Sequence, residues 1–300
     1  MRRHEPKQRR KRERSRTVRA FMVSYALAFA VLCGFAFLAV AALRPQEKPE
    51  LVQEPSAYLP EAGDERTLLV LFVGEDASPV GCTLISLSAL RKEVPVVTLP
   101  AQTLLTLTQR EYTVAGLFGT GGAGCVADAA EETFGITVDG YIQLEPQSLA
   151  GAIDAVGPVE FNMPFAIGSC GEDEAAISVG LQRLSGRMMS EVVFFPRYSA
   201  GEETRAKLIS GLCEAYIEQR LTAFEGDNTE KNFKAAISGV GTDISFRDFE
   251  EFREALMFLS KELRQPGGKR RVYVVTPDGE FGSKGFVLSD ICRRRIEGLM

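Results

Sequence analysis

Thr67–Gly74 reads TLLVLFVG, six consecutive apolar residues between a threonine and a closing glycine. A run this short, rich in branched and aromatic side chains and punctuated by glycine, has the signature of a strand buried on both faces of a sheet. Working outward, Cys82–Ser88 and Val94–Leu99 repeat that character on either side of the turn-like Ala89-Leu90-Arg91-Lys92-Glu93. Three sheet strands are predicted here. Gly116–Gly124 (GLFGTGGAG) then leads into a helix over Cys125–Phe134, closed by Gly135. Asp139–Leu144 is a further strand, Pro146–Val156 a helix and Val159–Phe161 a short strand. From about Pro164 to Gly180 the chain is acidic and glycine-bearing, which predicts an exposed loop. One long helix is predicted over residues 201–224 and another over Phe246–Leu263. The second has start signals: Ser245 can cap with Asp248, and Ile244 can staple to Phe249. Arg271–Val275 reads as a late strand and Leu288–Leu299 as a final helix. Strands interleaved with helices predict an α/β fold, a three-layer α/β/α sandwich around a central mixed sheet.

Upstream of this domain, residues 20–43 (Ala20 to Leu43) contain no charge. As a helix the segment would be about 36 Å long, enough to cross a hydrocarbon core of about 30 Å. Met1–Arg19 holds ten Lys/Arg against two Glu, a net charge of +8. Basic flanks stay on the cytoplasmic side. The expected layout is a basic cytoplasmic tail over residues 1–19 and one transmembrane helix over 20–43. An extracytoplasmic linker rich in Pro, Glu, Gln and Gly follows over 44–66, and the extracytoplasmic domain occupies 67–300. A cleaved signal peptide is the competing account, but the apolar run exceeds the usual 7–15 residues and Arg-Pro-Gln-Glu-Lys-Pro replaces a small-residue cleavage site. The arginine-rich tail, next to a membrane span, is read as a topology signal in contact with anionic lipid rather than a nucleic-acid patch. Beyond Arg19 the chain carries a net charge of −13.

The only histidine is His4, in the basic tail. Its position excludes Ser-His-Asp and Cys-His catalysis, and His-ligated zinc, from the rest of the chain. Cys33, Cys82, Cys125, Cys170, Cys213 and Cys292 form no C-x-x-C pair. Five of them lie beyond the apolar segment, an odd number, and most read as buried small hydrophobes. Carboxylate, arginine, lysine, tyrosine and hydroxyl groups remain, a set suited to magnesium with phosphate or to no chemistry. The glycines of Gly116–Gly124 could direct N–H groups at an anion, but the segment lacks a P-loop ending and reads rather as a tight, closely packed loop.

Several blocks, taken in order, carry a family resemblance. They are Val73-Gly74-Glu75-Asp76; Thr83-Leu84-Ile85-Ser86-Leu87; Val97-Thr98-Leu99-Pro100; Gly121-Gly122; Phe134-Gly135-Ile136-Thr137-Val138-Asp139-Gly140-Tyr141; and Ala152-Ile153-Asp154-Ala155-Val156-Gly157-Pro158-Val159-Glu160-Phe161. Gly180-Leu181-Gln182-Arg183-Leu184-Ser185-Gly186-Arg187 and Phe195-Pro196-Arg197-Tyr198 follow. In this order they resemble the LytR-CpsA-Psr family of cell-envelope proteins. The resemblance implies an extracytoplasmic domain on one N-terminal anchor. It also implies transfer of a glycopolymer from a polyprenyl-pyrophosphate carrier to peptidoglycan, with magnesium and a cluster of arginines around the pyrophosphate.

The departures from the family pattern fall on that chemistry. Val80-Gly81-Cys82-Thr83 stands for Arg-Ser-Asp-Thr, and Pro100-Ala101-Gln102 for Pro-Arg-Asp. Ser199 replaces the second arginine around Tyr198, and Leu208 and Ile209 replace a later arginine and glutamine. The surviving candidates are Arg197 and Arg205 for the pyrophosphate and Asp76 for the metal, with Glu75 and Glu202 beside them. Each also has a plainer account: Asp76 as a turn cap, Arg205 as a helix residue paired with Glu202, Arg197 as a surface charge. The expectation is a divergent, membrane-anchored member whose partners are the bilayer, a polyprenyl-linked glycopolymer and peptidoglycan. Magnesium is needed if it is active; the alternative is a silent lipid-pyrophosphate-binding or scaffold protein.

Overall fold

A computed structural model describes residues 58–61, 63–168, 177–196, 198, 201–220, 241–263 and 271–300. The basic tail, the apolar segment 20–43 and most of the linker lie outside the described residues, as does Arg197. Among the described residues no helix is long and apolar enough to cross a membrane.

The opening run supplies all but the first two residues of strand β1 (Glu65–Val73), which pairs antiparallel with β2 (Pro79–Ser88); β2 pairs antiparallel with β3 (Val94–Pro100). A hairpin of β4 (Leu104–Leu107) and β5 (Arg110–Thr113) leads to helix α1 (Val114–Phe134). Next come β6 (Gly140–Leu144), α2 (Pro146–Val156), β7 (Val159–Met163), β8 (Gly180–Leu184), α3 (Gly186–Val193) and α4 (Gly201–Arg220). The chain ends with β9 (Gly241–Thr242), α5 (Phe246–Leu263), β10 (Val272–Val274), β11 (Gly279–Phe281), β12 (Phe286–Leu288) and α6 (Asp290–Glu297). The central sheet has the order β10-β3-β2-β1-β6-β9 and is mixed, since β1 and β6, like β10 and β3, run parallel.

Alternation along β1 explains why the sheet is covered on both faces. Leu68, Val70 and Phe72 enter one apolar core with α2, α3, α4 and α5, whereas Leu69, Leu71 and Val73 enter a second with α1 and α6. Successive side chains of a strand point to opposite faces, so an unbroken apolar run requires two covering layers. This is the α/β/α sandwich expected from the sequence.

Three differences have physical causes. The glycine-rich Gly116–Gly124 is helical and belongs to α1, capped by Thr113 Oγ1 accepting from Gly116 N at 3.0 Å. Its loop character is confined to a kink at Gly121 and Gly122, where Gly122 adopts φ 70° without a Cβ penalty. The hairpins β4–β5 and β11–β12 add strands that the apolar pattern does not announce. The segment read as a loop from Pro164 is pinned at both described ends by a reciprocal Ile167–Ile177 backbone pair, and β8 follows it.

Helix α2 has the expected bounds, and α5 begins at the capping box, with Ser245 N donating to Asp248 Oδ2 at 2.7 Å and Asp248 N to Ser245 Oγ at 3.3 Å. Four cysteines are free, with Cys82, Cys213 and Cys292 buried and Cys125 half-buried; Cys33 and Cys170 lie outside the described residues.

Candidate functional site

The carboxyl end of β1, the start of β2, the amino end of α2 and the run from Ser190 to Pro196 enclose a cleft of about 670 Å³. Asp76 and Arg205 both line it, so two of the three candidate residues are brought to one place. Leu208 and Ile209, by contrast, lie in the apolar core beneath α4.

Asp76 occupies the tight β1–β2 connection, where its Oδ1 accepts from Ser78 N at 3.0 Å and Ala77 follows at φ 61°. It is a turn cap and a cleft residue at once. Arg205, on the second turn of α4, is 6% exposed. Its Nη2 donates to Phe195 O at 2.5 Å, its Nη1 lies 3.2 Å from Glu202 Oε2, and its guanidinium carbon is 5.0 Å from the Tyr198 ring centroid. The fork is therefore engaged by the protein, and Nε is buried without a hydrogen-bond partner among the described residues. Tyr198 backs the wall residue Phe195, stacking edge-on against Phe195 and Phe165 and donating its hydroxyl to Val192 O. Burial raises the Tyr198 phenol well above its ordinary range, with the Arg205 charge opposing and Glu202 adding to the effect, so it is a neutral donor.

The remaining lining is acidic and apolar. Glu75 and Glu191 join Asp76, with Glu191 held by Arg187 at 2.7 Å. Val80, Pro146, Ile167, Phe194, Phe195 and Pro196 supply apolar surface. The sequence reading did not single out Glu191, Ser190 or Phe194; they reach the cleft because α3 packs against α2, a contact with no local signal. Behind the cleft, Phe194 meets Phe72 edge-on at 6.5 Å. Phe72, Met189, Val193 and Leu212 line a small apolar void of about 10 Å³.

At two positions where the family pattern carries carboxylates, Cys82 and Gln102 offer no anionic oxygen donor. Among the described residues no group of three or more His, Cys, Asp or Glu side chains is arranged to hold a metal. Magnesium demands hard oxygen ligands in near-octahedral order. Cys82, at a position where the family pattern carries a carboxylate, is fully buried among apolar residues, and its thiol is pushed up to about 12 by burial. Ala101 is buried as well, and Gln102 offers only a neutral amide.

A family model described as the LytR_cpsA_psr family matches residues 82–261, more than half of the chain. The chain belongs to the LytR-CpsA-Psr family. The setting of that family is the cell envelope, and its members act there in glycopolymer transfer. No curated protein matches the chain in sequence. Among solved structures, a protein from Eubacterium siraeum described as a transcription regulator superposes with a TM-score of 0.71 at 16% identity, covering 85% of this chain and 98% of that one. Bacillus subtilis TagV gives 0.63 at 14% identity, covering 78% and 95%. TagT, solved bound to LIIa-WTA, gives 0.60 at 13% identity, covering 87% and 97%. At such identities the likeness shows the fold alone; family membership rests on the sequence match.

Proposed function

We propose that this LytR-CpsA-Psr protein is anchored in the cell membrane by residues 20–43, with its domain on the outer side, and receives a polyprenyl-linked glycopolymer in the cleft lined by Asp76 and Arg205. Transfer of that polymer to peptidoglycan is weakened or lost. The structure of TagT with LIIa-WTA supports the ligand class. Engagement of Arg205 by Phe195, Glu202 and Tyr198 is the observation that carries the loss of activity. Transfer of a phosphate-linked group depends on cations placed where charge develops, and removing one such donor commonly lowers the rate by about 10²–10³. Val80, Cys82, Ala101 and Gln102 replace four charged groups of the family pattern. The acidic lining adds to this, since one uncompensated carboxylate about 4 Å from a phosphate charge costs on the order of 1–4 kcal/mol.

The same observations favour a silent binding or scaffold role beside an active relative. The test is a transfer assay with the full chain in lipid nanodiscs, a polyprenyl-pyrophosphate-linked glycopolymer, peptidoglycan and magnesium. Expected is turnover at least about 10²-fold below that of an active family member assayed alongside. Comparable turnover that Arg197→Ala abolishes would sink the proposal.

A further inference from the structure

A second hollow, of about 550 Å³, lies along α4, within the size range of ligand sites. Thr204, Lys207 and Gly211 line it along the helix, with Pro164 and Phe165 on the β7 side and Val274 and Thr276 on the β10 side. The sequence holds β7 against the far half of α4. Gln219 accepts from Glu160 N at 2.9 Å and donates to Glu160 O at 2.7 Å, and Arg220 donates to Pro158 O. Gly211 lets the Phe161 ring settle on the helix backbone, since a Cβ there would lie 3.3 Å from it; a glycine inside a helix is costly, and this close approach gives it a reason. Half-buried Phe161 and Phe165 present apolar ring surface, and Asn162, Thr204 and Thr276 present an amide and two hydroxyls. The charges are separated. Exposed Lys207 lies in the first half of α4, and buried Glu214 follows two turns on, about 10 Å along the axis. The hollow and the cleft share a partition: Phe195 lines the cleft, Phe165 lines the hollow, and Tyr198 stacks edge-on against them at 5.7 and 6.0 Å. Arg205 and its chain neighbour Thr204 face the two sides in turn.

We infer that this hollow is a second ligand site, holding the anionic saccharide chain of the glycopolymer whose lipid carrier enters the cleft. The inference rests on the lipid-carrier reading above and adds where the polymer itself is held. Sugar rings lie on Phe161 and Phe165, their hydroxyls bond to Asn162, Thr204 and Thr276, and the Lys207 ammonium meets an anionic group of the chain. Continuity and charge name the source. The cationic end of the hollow, Thr204 to Lys207, is the end beside Arg205 and the cleft, so a chain leaving the lipid phosphate meets the ammonium first and Glu214 last. Such a hold needs no transfer chemistry.

Calorimetry on the full chain in nanodiscs tests it with four probes. Three are lipid-free: a short oligosaccharide joined by phosphodiesters, an uncharged oligosaccharide of the same length, and a soluble peptidoglycan glycan fragment. The fourth is a short-chain polyprenyl phosphate. The phosphodiester oligosaccharide is expected to bind about tenfold or more tighter than the other two saccharides, and more weakly at raised salt. Lys207→Ala, at an exposed position outside the cleft, should lower that affinity about tenfold. Thr276→Trp, which fills the hollow from its rim, should lower it at least as much, and neither change should alter polyprenyl phosphate binding. Failure of the phosphodiester oligosaccharide to bind, or binding indifferent to both substitutions, would overturn the inference, while polyprenyl phosphate binding would leave the carrier reading intact. A tighter hold on the peptidoglycan fragment would overturn the assignment to the polymer. Failure of polyprenyl phosphate to bind would overturn the carrier reading and the continuity argued from it, whatever the saccharides do.

Discussion

The guanidinium of Arg205 lies over the ring of Tyr198, 5.0 Å from its centroid, while one of its Nη atoms donates to Phe195 O. One buried cation thus ties α4 to the segment forming the cleft wall. Arg205→Ala removes a charge-assisted hydrogen bond, an ion pair and a cation–π contact together, and is expected to cost about 2–3 kcal/mol. Arg205→Lys should recover less than half of that, because an ammonium has no planar fork to stack and bond at once. Urea unfolding midpoints of the three chains decide this.

Gly186 permits α2 and α3 to touch. A Cβ built there would lie 1.9 Å from Ala150 O, and its own N–H donates to Asp154 Oδ1 at 2.8 Å. Gly186→Ala must push α3 away from α2, an overpacking cost of about 1–3 kcal/mol or more. The same shift displaces Ser190 and Glu191 in the cleft. Thermal unfolding should show a drop of about 2–4 °C per kcal/mol lost.

These two residues illustrate what was legible in the sequence. Continuous apolar runs announced β1, β2 and β3, and proline, glycine and capping residues fixed α2 and α5, because each signal is local. The order of short motifs also brought out Asp76 and Arg205. Hairpin β4–β5 was hidden because its turn uses Thr108 and Gln109 at φ 50° and 61°, not glycine. That turn is held by Glu132, whose carboxylate accepts from Thr108 N at 2.8 Å and Gln109 N at 3.0 Å. A turn stabilised by a residue more than twenty positions away leaves no local mark. Glu191 and Phe194 were hidden for the same reason: only the packing of α3 directs them to the cleft.

Ser210 joins α4 to the sheet through buried polar groups. Thr98 N donates to Ser210 Oγ at 3.0 Å, Ser210 Oγ to Thr98 Oγ1 at 2.8 Å, and Thr98 Oγ1 lies 2.8 Å from Thr83 Oγ1. Ser210→Ala leaves the Thr98 N–H buried without a partner, at a cost of about 1–3 kcal/mol. In a double-mutant cycle with Thr83→Val the two changes should be non-additive, because they share one network. Additive costs would break the network apart.

Glu262 gives the acid limb of stability a defined source. Its Oε2 accepts from Arg271 Nη1 at 2.5 Å and lies 3.2 Å from Lys92 Nζ. The hydrogen bond from Arg271 lowers its pKa below the ordinary 4.5, against a smaller opposing effect of burial. A carboxylate lowered in the folded state contributes stability that is fully present above its unfolded value and is lost as pH falls through the folded one. Stability should therefore decline once pH falls below about 4.5. Glu262→Gln should be less stable at pH 7 and show a flatter decline in acid, measured by denaturant unfolding across that range.

Thiol labelling separates the described cysteines by burial. Cys82 and Cys213 are buried and their thiols are pushed up to about 12, chiefly by desolvation, so almost no thiolate exists at neutral pH. Cys292 is buried too, with Asp278 N donating to its Sγ at 3.4 Å. Cys125 is the described cysteine with solvent access, although desolvation and then Asp128 raise its thiol as well. Iodoacetamide should modify Cys125 slowly in the native chain and the three buried cysteines only on unfolding, as read by peptide mass spectrometry. Native labelling of Cys82 would show that β2 opens beside Val80.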